Sequence, residues 1–430
     1  MTRFTGLAKG LQRMTMAMAV SAACLALPAA AQVASPEQPA RLASAPAALT
    51  DAQVAEIMAT AIPVEQRLIP GAARATQSSP DLVALSDGLP RVRGGTAGRS
   101  VRATITESDY LAVLAAAAEP AAQAGDGISA QNYGTGNRNT MYHFNDYLLM
   151  PQPIFAPYRS VGALFFQASD GGWYHCTATL IDRAVLLTAG HCVFDGGAAD
   201  PSGWNLQGFF VPGYSARDGS SEGTNQRYGR CDVQRWWTTT EWYNTGELNG
   251  GYDVAMATCG RLHDARWAYY NNRIPGIPLG YLGFCHFNCR QAYQFMTQLG
   301  YPANYYGGGE MTVSQHLSMT GQSIPGTGMT GVDFIAGSGM RGGSSGGPHI
   351  ANIGVISDSS FDPGQFTTRN VVFAVTSWGF TGGQTSGSAL MIQGSTPLSG
   401  VDNDISVRAM FNAACRHSRS MFGRSSCRLL

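Results

Sequence analysis

Thr188-Ala189-Gly190-His191-Cys192 and Gly343-Ser344-Ser345-Gly346-Gly347-Pro348 place a histidine and a serine in settings that organise everything else in the chain. A serine hydroxyl near neutral pH is a poor nucleophile. To attack a carbonyl it needs a base within hydrogen-bonding reach and donors aimed at the oxyanion that forms. In the second stretch the glycines free the backbone to turn, so the amides of Gly343 and Ser345 point into one hole. Ser345, which precedes Gly-Gly-Pro, is the candidate nucleophile, and His191 is the candidate base. Either motif alone would be weak in a chain with 53 glycines, where Gly-Ser-Ser-Gly-Gly also reads as a loop or linker. Together, in this order, they reinforce each other.

A base of this kind works beside a carboxylate that orients the imidazole, holds its tautomer and stabilises the imidazolium. Asp253 fits that part. In Gly251-Tyr252-Asp253-Val254-Ala255-Met256-Ala257 it opens a short apolar run, readable as a strand with the carboxylate at its entrance. Asp232 and Asp264 also lie between the histidine and the serine, but neither is followed by such a run. Without the flanking motifs, an aspartate here would read as a turn former or a solvated charge.

With His191, Asp253 and Ser345 in that order, the chain resembles the trypsin/chymotrypsin-fold serine proteases, most closely the bacterial glutamyl-endopeptidase-like (V8-like) branch. Further matching stretches are Tyr158-Arg159-Ser160-Val161-Gly162-Ala163-Leu164, Cys176-Thr177-Ala178-Thr179-Leu180-Ile181, Leu299-Gly300-Tyr301-Pro302 and Val375-Thr376-Ser377-Trp378-Gly379. The resemblance covers roughly residue 140 to the end. It implies two antiparallel six-stranded β-barrels with the active site between them and a closing C-terminal helix. It also implies acyl-enzyme chemistry on protein or peptide substrates, with no cofactor and no metal. The last of those stretches looks like the strand that lines the primary specificity pocket and pairs with substrate backbone.

On that alignment the pocket is built from Gly339, Met340 and Arg341 before the nucleophile and from Thr376, Ser377, Trp378 and Gly379 after it. A pocket for Lys or Arg needs a carboxylate to compensate a desolvated cation, and none stands among these residues. Glutamyl endopeptidases accept an acidic side chain with a histidine and hydroxyls, together with the mature N-terminal amine. Thr376 and Ser377 offer hydroxyls and Arg341 offers charge, but the histidine expected just before Trp378 is missing. Small or apolar side chains therefore stand beside acidic ones as candidates. Where trypsin-like zymogens carry an aspartate before the nucleophile, this chain has Ser344, which argues against activation through a new N-terminal ion pair. Arg91-Val92-Arg93-Gly94-Gly95 resembles an activation site, yet it lies too far ahead of His191 and reads as coincidence.

The N-terminus reads as an export signal over residues 1–31: Arg3, Lys9 and Arg13, an apolar stretch from Met14 to Leu27, then Pro28-Ala29-Ala30-Ala31. No longer apolar run suggests a membrane anchor. Cys24 invites a lipoprotein reading, but Ser21 stands where a lipobox wants Leu. Of nine cysteines, Cys24 leaves with the signal and eight remain, an even set suited to an oxidising compartment. Cys176 and Cys192 should pair, pinning the His191 turn to the barrel wall. By sequence proximity the rest pair as Cys231 with Cys259, Cys285 with Cys289 and Cys415 with Cys427. A metal site at Cys285-His286-Phe287-Asn288-Cys289 is the competing reading, less suited to an exported chain.

Only 13% of residues are charged and the formal net charge is zero, which argues against nucleic-acid binding. Residues 32–135 are rich in Ala, Pro and Ser and read as a propeptide, with residues 136–430 as the protease domain of a secreted monomer. The propeptide is either a flexible leader or a pro-domain that assists folding or covers the cleft, and is thus itself a partner. Within it, Thr50-Asp51-Ala52-Gln53 has capping-box form ahead of Val54, Ile57, Met58, Ala61 and Ile62 at helical spacing, and Ser108 to Pro120 is a second amphipathic candidate.

Later, short runs such as Val161 to Phe166, Thr177 to Ile181, Ala184 to Leu187, Val254 to Ala257 and Val371 to Val375 favour an antiparallel β architecture. Asp404 to Arg416 reads as the closing helix, with Ile405, Ala409 and Phe411 to Ala413 as its apolar side. His349 reads as a buried core residue, and Trp236, Trp237 and Trp242 as barrel packing rather than an exposed platform. Two other functions use the same residues: an esterase on the same triad, separated by ester against peptide substrates, and a catalytically silent binding or adhesion protein, against which the intact motifs count.

Overall fold

The computed structural model describes residues 33–34, 49–64, 67–68, 91–96, 144–146, 156–216, 228–248, 251–263, 279–289, 293–319, 323–324, 329–330, 334–354, 369–380, 392–398 and 403–430. The segment read as an export signal, the helix expected from Ser108 to Pro120, and Asp264 lie outside them.

Six strands form the first barrel: β1 (Val161–Gln167), β2 (Trp173–Asp182), β3 (Val185–Thr188), β4 (Gln207–Pro212), β5 (Arg230–Thr239) and β6 (Ala255–His263). They pair antiparallel in the order β5-β6-β3-β2-β1-β4, and β4 pairs with β5 to close the ring. The period-2 pattern of β1 explains why such strands suit a barrel. Val161, Ala163 and Phe165 enter one apolar cluster with Phe209 and Val211, while Leu164 and Phe166 enter another with Cys176, Ala178 and Phe210.

The second barrel uses β7 (Tyr293–Gly300), β8 (Thr312–Met319), β9 (Phe334–Gly337), β10 (Pro348–Ala351), β11 (Val371–Phe380) and β12 (Ile392–Pro397). Their order is β10-β7-β8-β9-β12-β11, closed by antiparallel pairing of β10 with β11. These two rings are the trypsin-like architecture that the motifs implied. Each of the five apolar runs singled out in the sequence coincides with a barrel strand, two of them starting one residue early, at Ala184 and Val254.

The chain closes with a helix, Asn403–Phe422, longer than expected. Its buried side is Val407, Met410, Phe411, Ala414 and Cys415, a spacing of three and four; of the expected apolar side Phe411 is buried, while Ala409, Asn412 and Ala413 are only half-buried. Phe411 packs on Phe284 with ring centroids 4.9 Å apart, and the Cys415–Cys427 bridge ties the tail back to the helix.

The described residues upstream of the barrels, from Val33 on, belong to the same compact unit as the barrels. The helix α1 (Asp51–Thr60) has the expected cap: Thr50 Oγ1 accepts from Gln53 N, and the Gln53 side chain accepts from Thr50 N at 2.9 Å. Val54 and Ile57 are buried in the larger core cluster, while Ile62, beyond the helix, is exposed. Arg91–Arg93 pairs antiparallel with Gly283–Phe287, and Arg93 forms an ion pair with Asp182 at the end of β2. That strand is built into the fold by its packing. A Cβ at Gly95 would lie 2.3 Å from the Tyr281 carbonyl oxygen, so the approach of the two backbones requires glycine.

Candidate active site

Antiparallel pairing of β3 with β6 brings the end of one beside the start of the other, with Thr188 opposite Ala255. His191 follows Thr188 in a tight turn, Gly190–Cys192, and Asp253 lies just ahead of Ala255. The two side chains therefore meet. His191 Nδ1 is 2.7 Å from Asp253 Oδ2, and the backbone amide of His191 donates to Oδ1 at 2.8 Å. A carboxylate holding ring and backbone of one residue fixes both orientation and tautomer: Nδ1 carries the proton and Nε2 of the neutral ring is the acceptor. Asp253 is fully buried, and its Oδ2 also accepts from Ser377 Oγ of β11.

Trp242 backs this turn. It sits in α2 (Thr240–Thr245), donates from Nε1 to the Phe194 carbonyl at 3.1 Å and lies 6.2 Å from the His191 ring. A Cβ at Gly190 would meet Trp242 Cγ at 2.8 Å and Asp253 Oδ1 at 2.9 Å. Trp236, Trp237 and Trp242 are all buried, as packing residues. The Cys176–Cys192 pair stands at bridging distance, Cα to Cα 6.2 Å, and fastens the turn to β2. The other three pairs drawn from proximity also form bridges, including Cys285 with Cys289, which takes those thiolates away from any metal.

Ser345 arrives from the second barrel, in the loop between β9 and β10. Its carbonyl accepts from Thr177 N at 2.7 Å, and Gly346 N donates to the Thr376 carbonyl at 2.8 Å. The loop is thus held by β2 on one side and β11 on the other. Gly343 has φ +91° and Gly346 φ +78°. Side chains there would strike Tyr301 O at 2.4 Å and Thr188 Oγ1 at 2.0 Å respectively. Ser344 turns the other way, its hydroxyl donating to the Arg341 carbonyl at 2.7 Å.

Ser345 Oγ and His191 Nε2 are not hydrogen-bonded to each other. The hydroxyl donates to the Val64 carbonyl oxygen at 3.3 Å, and His191 Nε2 is buried without a partner. Gly343 N also donates to that carbonyl, at 2.8 Å.

The pocket residues are placed differently from their sequence reading in one respect. Met340, Thr376, Ser377 and Trp378 are buried and Arg341 is half-buried, beside the nucleophile loop. The two hydroxyls, however, are committed elsewhere: Ser377 to Asp253, and Thr376 to Gln298 Nε2 at 2.8 Å and His349 Nε2 at 3.0 Å. Gly339 accepts from Asn304 Nδ2 at 2.8 Å through its carbonyl.

His349 is buried in the second barrel, 3.1 Å from His316 Nε2, and Ser395 Oγ lies 2.7 Å from its Nε2. Burial pushes His316 down to about 4 and His349 well below the usual histidine value, so both are neutral near pH 7. His175, passed over in the sequence, abuts the nucleophile loop: a Cβ at Gly343 would lie 2.5 Å from its Nε2. Burial lowers its pKa as well. Its position beside Cys176 was the available signal. Asp232, the competing carboxylate, lies on β5 and is 3.7 Å from Arg230 Nε.

No family model matches the chain, and no curated protein matches it. Solved structures similar to it include the protease Anisep from Arthrobacter nicotinovorans, 22% identical, covering 60% of this chain and 95% of that one with a TM-score of 0.41. A thermostable serine protease, AL20, from an extremophilic microorganism is 19% identical over 62% of this chain and 97% of its own, TM-score 0.40. A Glu endopeptidase in complex with MPD is 16% identical over 65% and 98%, TM-score 0.41.

Proposed function

We propose that the chain is a secreted serine endopeptidase. Ser345 attacks the scissile carbonyl, His191 takes its proton and returns it to the leaving amine, Asp253 orients His191, and the amides of Gly343 and Ser345 hold the oxyanion. The observation that carries this is the bonding of Gly343 N and Ser345 Oγ to one carbonyl oxygen, beside a histidine whose Nδ1 is engaged by Asp253 and whose Nε2 is unpaired. A hole that takes a carbonyl oxygen serves peptide and ester alike, so ester against peptide substrates separates the esterase reading from this one.

Four bridged cysteine pairs suit an oxidising compartment, and no helix among the described residues is long and apolar enough to cross a membrane. With the hydroxyls of Thr376 and Ser377 engaged, Arg341 is the group of the pocket set left to meet an acidic side chain. Cleavage after Lys or Arg is disfavoured for want of a carboxylate.

The test is hydrolysis of a mixed peptide library by the processed chain. Ser345→Ala should lose activity by on the order of 10⁶, by analogy with nucleophile removal in subtilisin. Ser344→Ala should keep most of it, because that hydroxyl faces the Arg341 carbonyl. Equal activity in Ser345→Ala would sink the assignment.

A further inference from the structure

The carbonyl that fills the hole belongs to the chain itself. Val64 is reached through α1 and the short strand Ile62–Pro63, which pairs parallel with β2, Ile62 opposite Tyr174 and Pro63 opposite His175. Val64 N donates to the His175 carbonyl at 3.0 Å, and its own carbonyl accepts from Gly343 N and Ser345 Oγ. The chain returns to the cleft at Arg67–Leu68, which pairs parallel with β11, Arg67 opposite Gly379 and Leu68 opposite Phe380.

The order of these contacts fixes a direction. β11 carries the stretch that resembles the strand lining the pocket and pairing with substrate backbone, so in the proposed mechanism the acyl half of a substrate, the residues before the cut, lies along β11; the Ser345 loop is held between β11 and β2, which leaves the β2 side for the leaving half. Here the residues after Val64 lie along β11 and the residues before it lie along β2. We propose that this segment is an intramolecular ligand of the cleft that runs opposite to a substrate, with the Val64 carbonyl in the oxyanion hole, and so inhibits the enzyme without being cut. The proposal rests on the serine endopeptidase reading.

Reversed polarity explains the resistance to cleavage. Were Ser345 to attack Val64, the departing amine would belong to the half of the chain that leads on to Arg67–Leu68, which is paired with β11 on the acyl side. His191 donates its proton on the other side, so collapse to an acyl-enzyme has no proton donor. The hydroxyl also points at the carbonyl oxygen rather than at His191 Nε2, which is the geometry of a ligand and not of attack.

Anchoring comes from α1. Val54 and Ile57 bury their side chains in the larger core cluster, and burial of such residues is the strong contribution. The Arg230–Asp51 pair at 3.1 Å is exposed on the aspartate side and adds little. Arg230 Nη2 also donates to the Leu49 carbonyl at 3.3 Å. A tethered ligand has an effective concentration near the millimolar range, so even modest intrinsic affinity keeps the cleft occupied.

The experiment compares the rate of fluorophosphonate labelling at Ser345 in the full chain, in the full chain carrying Val54→Asp with Ile57→Asp, and in the processed chain. The full chain should label about tenfold or more slowly than the processed one, and the double variant should approach the processed rate. A synthetic peptide of residues 49–68 added to the processed chain should inhibit competitively and remain intact at Val64–Glu65, a readout independent of whether the double variant folds. Equal labelling of full and processed chains, or no inhibition by the peptide, overturns the proposal alone. Cleavage at Val64–Glu65 overturns the reversed direction. Absence of label in every form overturns the nucleophile assignment, and the proposal with it.

Discussion

Ser377 Oγ donates to Asp253 Oδ2, the same carboxylate oxygen that lies 2.7 Å from His191 Nδ1. One residue comes from the second barrel and the other from the first, so this bond joins the two halves at the candidate base. A hydrogen bond to a charged group contributes about 1.5–3 kcal/mol. Ser377→Ala should therefore lower kcat by roughly tenfold or more with KM little changed, because the carboxylate is less well fixed while substrate contacts remain. Partial recovery in Ser377→Thr would support a positioning role. A change confined to KM would place the hydroxyl in the pocket instead.

In the proposed site Gly343 supplies an amide of the hole; its φ is +91°, and a Cβ there would meet the Tyr301 carbonyl at 2.4 Å and His175 Nε2 at 2.5 Å. Gly343→Ala should displace that donor and cost about 10²–10³ in kcat, the scale of losing one oxyanion donor. Circular dichroism and peptide turnover together check it. Full turnover in a folded variant would remove Gly343 from the hole.

The sequence disclosed the candidate site through local signals and missed what depends on packing. His191, Asp253 and Ser345 were legible because each sits in a short pattern with its own backbone demand, and the Thr50 cap of α1 was legible for the same reason. Ser377 read as a pocket hydroxyl because nothing in Val375-Thr376-Ser377-Trp378 says that its neighbour across the barrels is a carboxylate. The closing helix was placed correctly and Phe411 is on its buried side as expected, but the rest of the stripe was shifted, since Ala409 and Ala413 suit either face and only the wall made by Phe284 and the barrel decides. Pairing of Val64 with the hole was invisible, because a backbone carbonyl carries no residue signature.

His316 and His349 give the fold a pH dependence with a definite sign. Both are held neutral in the folded state by burial, His316 with a pKa of about 4, while the unfolded chain binds protons below about 6.5. Their contribution is therefore fully present above about 6.5 and is lost as pH falls toward 4. For His316 alone the loss is on the order of 2–3 kcal/mol by pH 4.5. Thermal melts should show the wild-type Tm falling more steeply between pH 7 and 4.5 than that of His316→Gln. Parallel slopes would contradict the burial argument.

Arg91–Arg93 is paired with Gly283–Phe287, and Arg93 is held by Asp182 with its guanidinium 4.7 Å from the Phe411 ring. This strand should stay with the active enzyme, so processing that frees the cleft should cut after Leu68 and at or before Arg91, ahead of the boundary at residue 135 that composition suggested. N-terminal sequencing of the active form checks this. An N-terminus beyond Arg93, in a form of undiminished stability, would show the strand to be dispensable.

The central claim is that Ser345 is the covalent nucleophile, and the most direct measurement is mass mapping of the fluorophosphonate adduct on the processed chain. The account predicts one adduct, on the peptide containing Gly343-Ser344-Ser345-Gly346, localised to Ser345 and absent in both Ser345→Ala and His191→Ala. An adduct on Ser344 or any other residue, or label retained in Ser345→Ala, would contradict it.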